Sequence, residues 1–313
     1  MPSFVLLFPG QGSQVPGMGK DLAAAFPAAR EVFDAADAAI GANLSELCFE
    51  GPAEELTRTL NAQPALLAHG AAVWAVVREA VAPHVVAAAG HSLGEFTAYH
   101  AADALALPYA VQLVRRRGAL MFEAGERRPG AMAAILGDLT TPIEQVCQAA
   151  ADAGVVVPAN FNSPGQVVIS GEAIAVERAM ALAKDAGAKR AMRLNVSGAF
   201  HSPLMDEAAE GLREALDLAP MADPRFPVYA NVNGQPVSDA ALARRLLVEQ
   251  LTSPVQWTRE MEALTSAHPD ATFVEMGPGT VLKGLLKKIA PAVKAVSCGT
   301  SADVDALLAQ IAA

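Results

Sequence analysis

Cysteine and positive charge are both scarce in this chain, and each scarcity excludes something. The three cysteines among 313 residues, Cys48, Cys147 and Cys298, are far apart, odd in number and in no Cys-x-x-Cys spacing. That disfavours a disulfide framework and a zinc or other metal site, and it suits a reducing compartment, so a cytoplasmic location is expected. Lys plus Arg total 23 against 33 for Asp plus Glu, a net charge of −10, with no long basic run. Such a surface repels a phosphate backbone over most of its area, which argues against nucleic acid as a partner. The opening Met-Pro-Ser-Phe-Val-Leu-Leu-Phe lacks the basic start and the apolar length of a signal peptide. The longest uncharged stretches, Met1 to Gly19, Thr59 to Val77 and Ala153 to Gly171, are each broken by Pro and by Asn or Gln, so no membrane association is expected.

What is present is core-forming. With 52% hydrophobic residues, the chain holds enough apolar surface for one large domain, or for one carrying a smaller domain, at about 150 residues per domain. Apolar runs bounded by Gly and Pro alternate with helical patterns, the signature of an α/β protein with a mainly parallel sheet. Phe4 to Phe8 and Val85 to Ala89 read as strands buried on both faces, because neither alternates with polar residues. Helices are expected around Met18 to Ile40, Pro64 to Val81 and Pro108 to Ala124. Between Pro129 and Val196 the order becomes strand, helix, strand, strand, helix, strand, which is the ferredoxin-like unit. Residues 129–196 are therefore expected to form a ferredoxin-like subdomain inserted into a core made of 1–128 and 197–313. Beyond it come a helix from Pro203 to Leu218, a strand at Val228 to Asn231, helices near Ala240 to Leu251 and Val281 to Ile289, and strands at Thr272 to Glu275 and Val293 to Ser297.

The chemistry concentrates in a few segments. Gly90-His91-Ser92-Leu93-Gly94 matches Gly-x-Ser-x-Gly, a pattern common enough to be weak alone, but it sits after an apolar strand and before a helix with Glu95 in its first turn. In that context the serine is forced onto a sharp elbow with its hydroxyl exposed. A serine nucleophile needs a base and donors for an oxyanion. The N–H of Leu93 is the natural first donor, and the N–H of Gln11, in the loop Gly10-Gln11-Gly12, a second. That loop is a poor dinucleotide fingerprint, since Val15 stands where its third glycine would be. Among six histidines, His91 is expected to pack inside the elbow, and His69, His84, His100 and His268 have no nameable partner. His201 differs, lying in the loop Ala199-Phe200-His201-Ser202-Pro203, where Ser202 can cap a helix and Pro203 can open it. No Asp stands out as a third triad member. Arg115, Arg116 and Arg117 lie on three faces of one helix; two are expected to be solvated, and one turned inward needs an anion such as a substrate carboxylate.

Gly10-Gln11-Gly12-Ser13-Gln14, Gly90-His91-Ser92-Leu93-Gly94-Glu95, Arg117-Gly118, Ala199-Phe200-His201-Ser202 and Gln250 with Pro254-Val255-Gln256-Trp257 resemble, in order and spacing, the malonyl-CoA:acyl carrier protein transacylase family. The resemblance implies an α/β-hydrolase-like core with an inserted ferredoxin-like subdomain, and transfer of a malonyl group from malonyl-CoA to acyl carrier protein without a cofactor. It implies Ser92 as nucleophile, His201 as general base and acid, Gln11 and Leu93 as oxyanion hole, Arg117 as clamp for the malonyl carboxylate, and the main-chain carbonyl of Gln250 as partner of His201. It places Gln63 and Asn162 near the pocket. Related polyketide acyltransferases that select malonyl units also carry Phe before the catalytic His, so Phe200 implies a pocket too full for a branching methyl. A monomer working in fatty-acid synthesis is expected, with a free-standing polyketide acyltransferase, a malonate decarboxylase component, a serine thioesterase or hydrolase, and a non-catalytic carrier-binding module as alternatives. An acidic carrier needs a local basic patch, for which Lys283, Lys287 and Lys288, on one face of a helix, and Lys189, Arg190 and Arg193 are the candidates.

Overall fold

The computed structural model describes residues 3–312. Its strands are Phe4–Phe8 (β1), Val85–Gly90 (β2), Gly130–Leu136 (β3), Val156–Ser163 (β4), Gln166–Glu172 (β5), Arg190–Arg193 (β6), Val228–Tyr229 (β7), Pro236–Val237 (β8), Thr272–Met276 (β9) and Ala295–Cys298 (β10). Six of them form a sheet in the order β10-β9-β1-β2-β7-β8, parallel apart from the pairing of β8 with β7. β1 is buried throughout and β2 over its last four residues, as unalternating apolar strands require when helices cover both faces. The other four strands form an antiparallel sheet in the order β4-β5-β3-β6. With helices Ile143–Ala150 and Ala173–Asp185 between its strands, this is the ferredoxin-like arrangement, inserted into the α/β core.

The small sheet is two-faced. Ala131, Ala133 and Ile135 pack under its helices with Val146, Val176 and Ala179, whereas Met132 and Val168 face the other way and line a cavity shared with the larger unit. A short bridge joins the two, in which Phe161 N–H donates to Val255 O at 2.9 Å and Val255 N–H to Ala159 O at 2.8 Å. The cavity lies between the subdomain and the carboxyl ends of β1 and β2, where open parallel sheets place their ligands.

Several local expectations are corrected. The helical stretch from Met18 to Ile40 is two helices, Lys20–Ala25 and Pro27–Ile40, because Pro27 starts a new one. Pro203 opens a single turn, Pro203–Met205, ahead of the helix Asp206–Leu218, and the β7 strand is shorter than expected. Helices Leu44–Glu50, Ala53–Thr57, Trp257–Ala267 and Ser301–Ala312 and strand β8 add to the elements expected.

Pro64 does not break its helix, which runs from Thr59 to Val81 and is apolar and long enough to cross a membrane by composition alone. Here it is a core helix, with 67% of its most apolar window buried in the protein. A proline inside a helix removes the N–H owed to the carbonyl four residues earlier, here Leu60. Arg115, from the crossing helix Leu107–Arg127, supplies the missing donor: its Nη1 reaches Leu60 O at 2.9 Å and Asn61 Oδ1 at 2.5 Å. Arg115 is thus half-buried and structural, and only Arg116 of the arginine triplet is solvated. Gly118 allows this close crossing, since a Cβ there would lie 2.7 Å from Thr59 O and 2.8 Å from Leu60 Cα.

Replacing Arg115 by Met should cost about 1–3 kcal/mol in denaturant unfolding, the penalty of an unpaired buried acceptor. In a Pro64→Ala background, which restores the N–H, the same replacement should cost less. Equal costs in the two backgrounds would disprove the coupling.

Candidate active site

β2 runs straight into the turn that carries Ser92, whose backbone is forced to φ 51° and ψ −106° before helix Leu93–Ala101 begins. Both flanking glycines are dictated by contact. A Cβ on Gly90 would sit 1.9 Å from the carbonyl carbon of Gly94, and one on Gly94 would sit 2.0 Å from Phe8 O. The turn is therefore pressed against the end of β1, so the loop Gly10-Gln11-Gly12 lies beside the serine. Among the described residues the N–H groups of Gln11 and Leu93 donate to no other protein group, and both residues line the same cavity as Ser92. Unpaired N–H groups beside a hydroxyl are what holding an oxyanion requires.

Ser92 Oγ and His201 Nε2 are 2.8 Å apart, and His201 Nδ1 is 2.8 Å from the main-chain O of Gln250. A carbonyl can only accept, so it fixes the Nδ1–H tautomer and leaves Nε2 free to take the serine proton. The loop expected to present His201 has the expected cap, with Ser202 Oγ accepting from Leu204 N–H and donating to Ala199 O. His201 itself has φ 57°, a second strained residue beside Ser92. Burial first, and then the neighbouring Arg117 charge, depress its pKa to about 3. The imidazole is held neutral, the form a base needs.

Arg117 is 1% exposed and has no salt bridge among the described residues. Its Nη1 donates to Gln63 Oε1 at 2.7 Å, and its Nη2 to Gln250 Oε1 at 2.9 Å and to Ser92 Oγ at 3.1 Å, while Nε has no partner. Gln63 and Gln250 thus hold the two ends of the guanidinium, and Gln63 also reaches Met121 Sδ. The guanidinium stacks 5.6 Å from the centre of the Phe96 ring. Burial lowers the pKa of Arg117 to about 10, opposed by the charge of Glu95, so it stays cationic at neutral pH.

The cavity in front of these groups has a volume of about 360 Å³ and is walled by Phe200, Met121, Met132, Val168 and Asn160. His91 packs against Trp257, as expected, but its Nε2 also meets Asn162 Oδ1 at 2.8 Å, so both line the site. Asn231 and Glu260 were not anticipated. Asn231 Oδ1 accepts from Ser92 N–H at 2.7 Å, and its Nδ2 donates to Gly90 O at 2.8 Å and to Glu260 Oε1 at 3.0 Å. The one available signal was position: Asn231 follows β7, the strand next to β2. Lys283, Lys287 and Lys288 are brought together on the exposed face of helix Val281–Ile289, opposite buried Leu282, Leu285 and Leu286. They stand outside the cavity, with Lys288 Nζ bonded to Gln166 Oε1 of the subdomain.

A profile of the acyl transferase domain matches residues 5–304. The malonyl CoA-acyl carrier protein transacylase of Bacillus subtilis is 48% identical over 299 residues, covering 95% of this chain and 93% of the relative. That of Escherichia coli K12 is 45% identical over 289 residues, covering 92% and 93%. The chain belongs to the malonyl-CoA:acyl carrier protein transacylase family. An acyl-carrier-protein-S-malonyltransferase from Bartonella henselae superposes with a TM-score of 0.95 at 43% identity, covering 99% of this chain and 100% of the other. A malonyl-transacylase solved with its type II PKS acyl-carrier protein superposes with a TM-score of 0.94 at 42% identity, covering 98% and 99%.

The neutral imidazole of this transacylase-family site makes a stability prediction. Unfolded His201 titrates near 6.5 and folded His201 near 3, so the unfolded chain binds the extra proton first and stability falls as pH drops through that window. Relative to His201→Gln, the chain should lose up to about 1.4 kcal/mol per pH unit between roughly pH 6 and 4.5. Imidazole NMR should show no protonation of His201 between roughly pH 5 and 8, and an inflection near 6.5 would contradict this environment.

Proposed function

We propose that this chain moves a malonyl group from malonyl-CoA to the phosphopantetheine thiol of an acyl carrier protein through an ester on Ser92. The observation that carries the reading is Arg117: a buried guanidinium without a carboxylate partner, its Nη2 3.1 Å from the nucleophilic oxygen. Burying such a charge is costly unless an anion completes it, and the terminal carboxylate of a three-carbon diacid joined at Ser92 reaches that position. The names of the relatives and their near full-length match support the same chemistry.

In the proposed sequence, Ser92 attacks the malonyl thioester as His201 Nε2 takes its proton. The tetrahedral oxyanion rests on the N–H groups of Gln11 and Leu93. The C–S bond breaks, the CoA thiolate takes the proton from His201, and malonyl-Ser92 remains. His201 next deprotonates the pantetheine thiol of the carrier, which attacks the ester; Ser92 leaves as alkoxide and recovers the proton. Gln250 holds the imidazole through its carbonyl, Gln63 steadies Arg117, and Asn162 holds His91 at the cavity wall. Phe200, 6% exposed and against the cavity, narrows the space for a branching methyl, a discrimination of about 1–3 kcal/mol. That selectivity and the names of the relatives favour fatty-acid synthesis.

Incubation with malonyl-CoA followed by intact-mass and peptide analysis should show one malonyl group on Ser92, and with carrier protein present the product should be malonyl-carrier. Release of free malonate instead would make the protein a hydrolase. Arg117→Ala should lose malonyl transfer on the order of 100-fold and gain relative acetyl transfer, since a charge-assisted pair worth a few kcal/mol is removed. An unchanged malonyl-to-acetyl preference would remove Arg117 from this role.

The exposed lysine face of helix Val281–Ile289 supplies the positive patch that an acidic carrier needs. Lys287→Glu with Lys288→Glu should raise KM for the carrier and leave the rate of malonyl loading from CoA untouched. An unaltered carrier KM would dismiss the patch.

A further inference from the structure

Glu95 takes no part in the steps above, yet it is a fully buried carboxyl group one helical turn from the nucleophile. Its position three residues after Ser92 is that of a capping box, in which the Glu carboxylate would accept from the Ser92 N–H. The structure uses it otherwise. Asn231 takes the Ser92 N–H, and Glu95 turns inward, where Oε2 accepts from Gln250 Nε2 at 2.6 Å and from Asn231 N–H at 3.2 Å.

Gln250 Nε2 is surrounded by acceptors: Glu95 Oε2, Ser92 O at 3.1 Å and Asn231 Oδ1 at 3.2 Å. Gln250 Oε1 instead faces the Nη2 of Arg117. An amide turned end for end would set oxygen against three oxygens and an NH2 against a guanidinium, so it has one permitted orientation. Of the three acceptors, only Glu95 offers a carboxylate, and it makes the shortest bond. We propose that Glu95 is a positioning residue: its carboxyl group fixes which end of the Gln250 side chain faces Arg117, and so holds the guanidinium where it discriminates between acyl groups. This rests on the malonyl-transfer reading. It extends that reading by giving the preference for a carboxylated acyl chain a determinant that touches neither substrate nor guanidinium.

The test compares malonyl-CoA and acetyl-CoA loading in the wild type, Glu95→Leu, Glu95→Gln, Gln250→Ala and Glu95→Leu with Gln250→Ala. Glu95→Leu, close in volume and without the acceptors, should lower kcat/KM for malonyl-CoA on the order of 100-fold, as a misplaced binding group does. Acetyl loading should fall far less, so the preference collapses. Glu95→Gln keeps one acceptor oxygen and should hold the preference to within roughly tenfold of wild type, the worth of one hydrogen bond. Gln250→Ala keeps the main-chain carbonyl for His201, and adding Glu95→Leu to it should reduce the preference no further. Wild-type preference in Glu95→Leu, equal losses for the two substrates, or additive losses in the double variant would each overturn the proposal. Should Glu95→Leu fail to fold, equal losses for both substrates in Glu95→Gln would overturn it, and a loss confined to malonyl-CoA would support it. A wild type that loads no malonyl group would instead defeat the functional reading on which this one rests.

Discussion

A positive charge buried without a negative partner is the constraint around which the site is organised. Arg117 is surrounded by neutral acceptors and an aromatic face, which orient it without discharging it. The helix that carries it crosses Thr59–Val81 closely enough for Gln63 to reach Nη1, and that closeness depends on Gly118 and on the Arg115 bond to the carbonyl that Pro64 leaves free. Packing between two core helices therefore sets the position of the buried charge that borders the cavity. The carboxyl group of Glu95, whose pKa burial raises to about 7, lies behind it, separated by the Gln250 amide.

Within the site, backbone strain falls on the two groups that must face each other; among the described non-glycine residues only Asp103 shares their positive φ. Ser92 and His201 both occupy positive φ, on a strand-to-helix turn and on a loop between two units of the fold. Neither conformation is favourable alone, and each is over-determined by its surroundings. The elbow is pinned by the contacts of Gly90 and Gly94 and by Asn231, which ties the Ser92 N–H to the carbonyl of Gly90. His201 is pinned by the Ser202 cap and by Gln250 O. Rigid placement from two independent elements is what permits a 2.8 Å contact between residues 109 positions apart.

The parallel core and the ferredoxin-like insert were legible in the sequence because their signals are local: unalternating apolar strands, and a helix-strand order that changes near Pro129. Ser92 and His201 were legible because strain and capping leave marks in neighbouring residues, in the paired glycines and in Ser202-Pro203. The polar layer beneath the elbow was not. Asn231, Glu260 and the inward turn of Glu95 are set by strand order, which brings β7 beside β2, and one asparagine after one short strand carries no periodic signal. Arg115 was misread for a similar reason: its partner carbonyl is orphaned by a proline 51 positions away, and no helical wheel of its own helix shows that. Such a separation follows from helix packing, not from pattern.

The missing aspartate is explained by the same charge. A carboxylate bonded to His201 Nδ1, where Gln250 O now lies, would bring a resident anion close to Arg117, whose charge already acts on the imidazole. Such an anion would raise the basicity of His201, and it would also compete with a substrate carboxylate for the guanidinium. A main-chain carbonyl fixes the tautomer through its dipole and adds no net charge. The cost is a weaker base: the imidazole is held well below its ordinary pKa by burial and by Arg117. An incoming substrate carboxylate offsets part of that cost, because it neutralises Arg117 and relieves the repulsion of the developing imidazolium. Under the proposed transfer, the base would strengthen when an anionic acyl group occupies the cavity, so that selectivity for that group and activation of Ser92 would share one electrostatic origin.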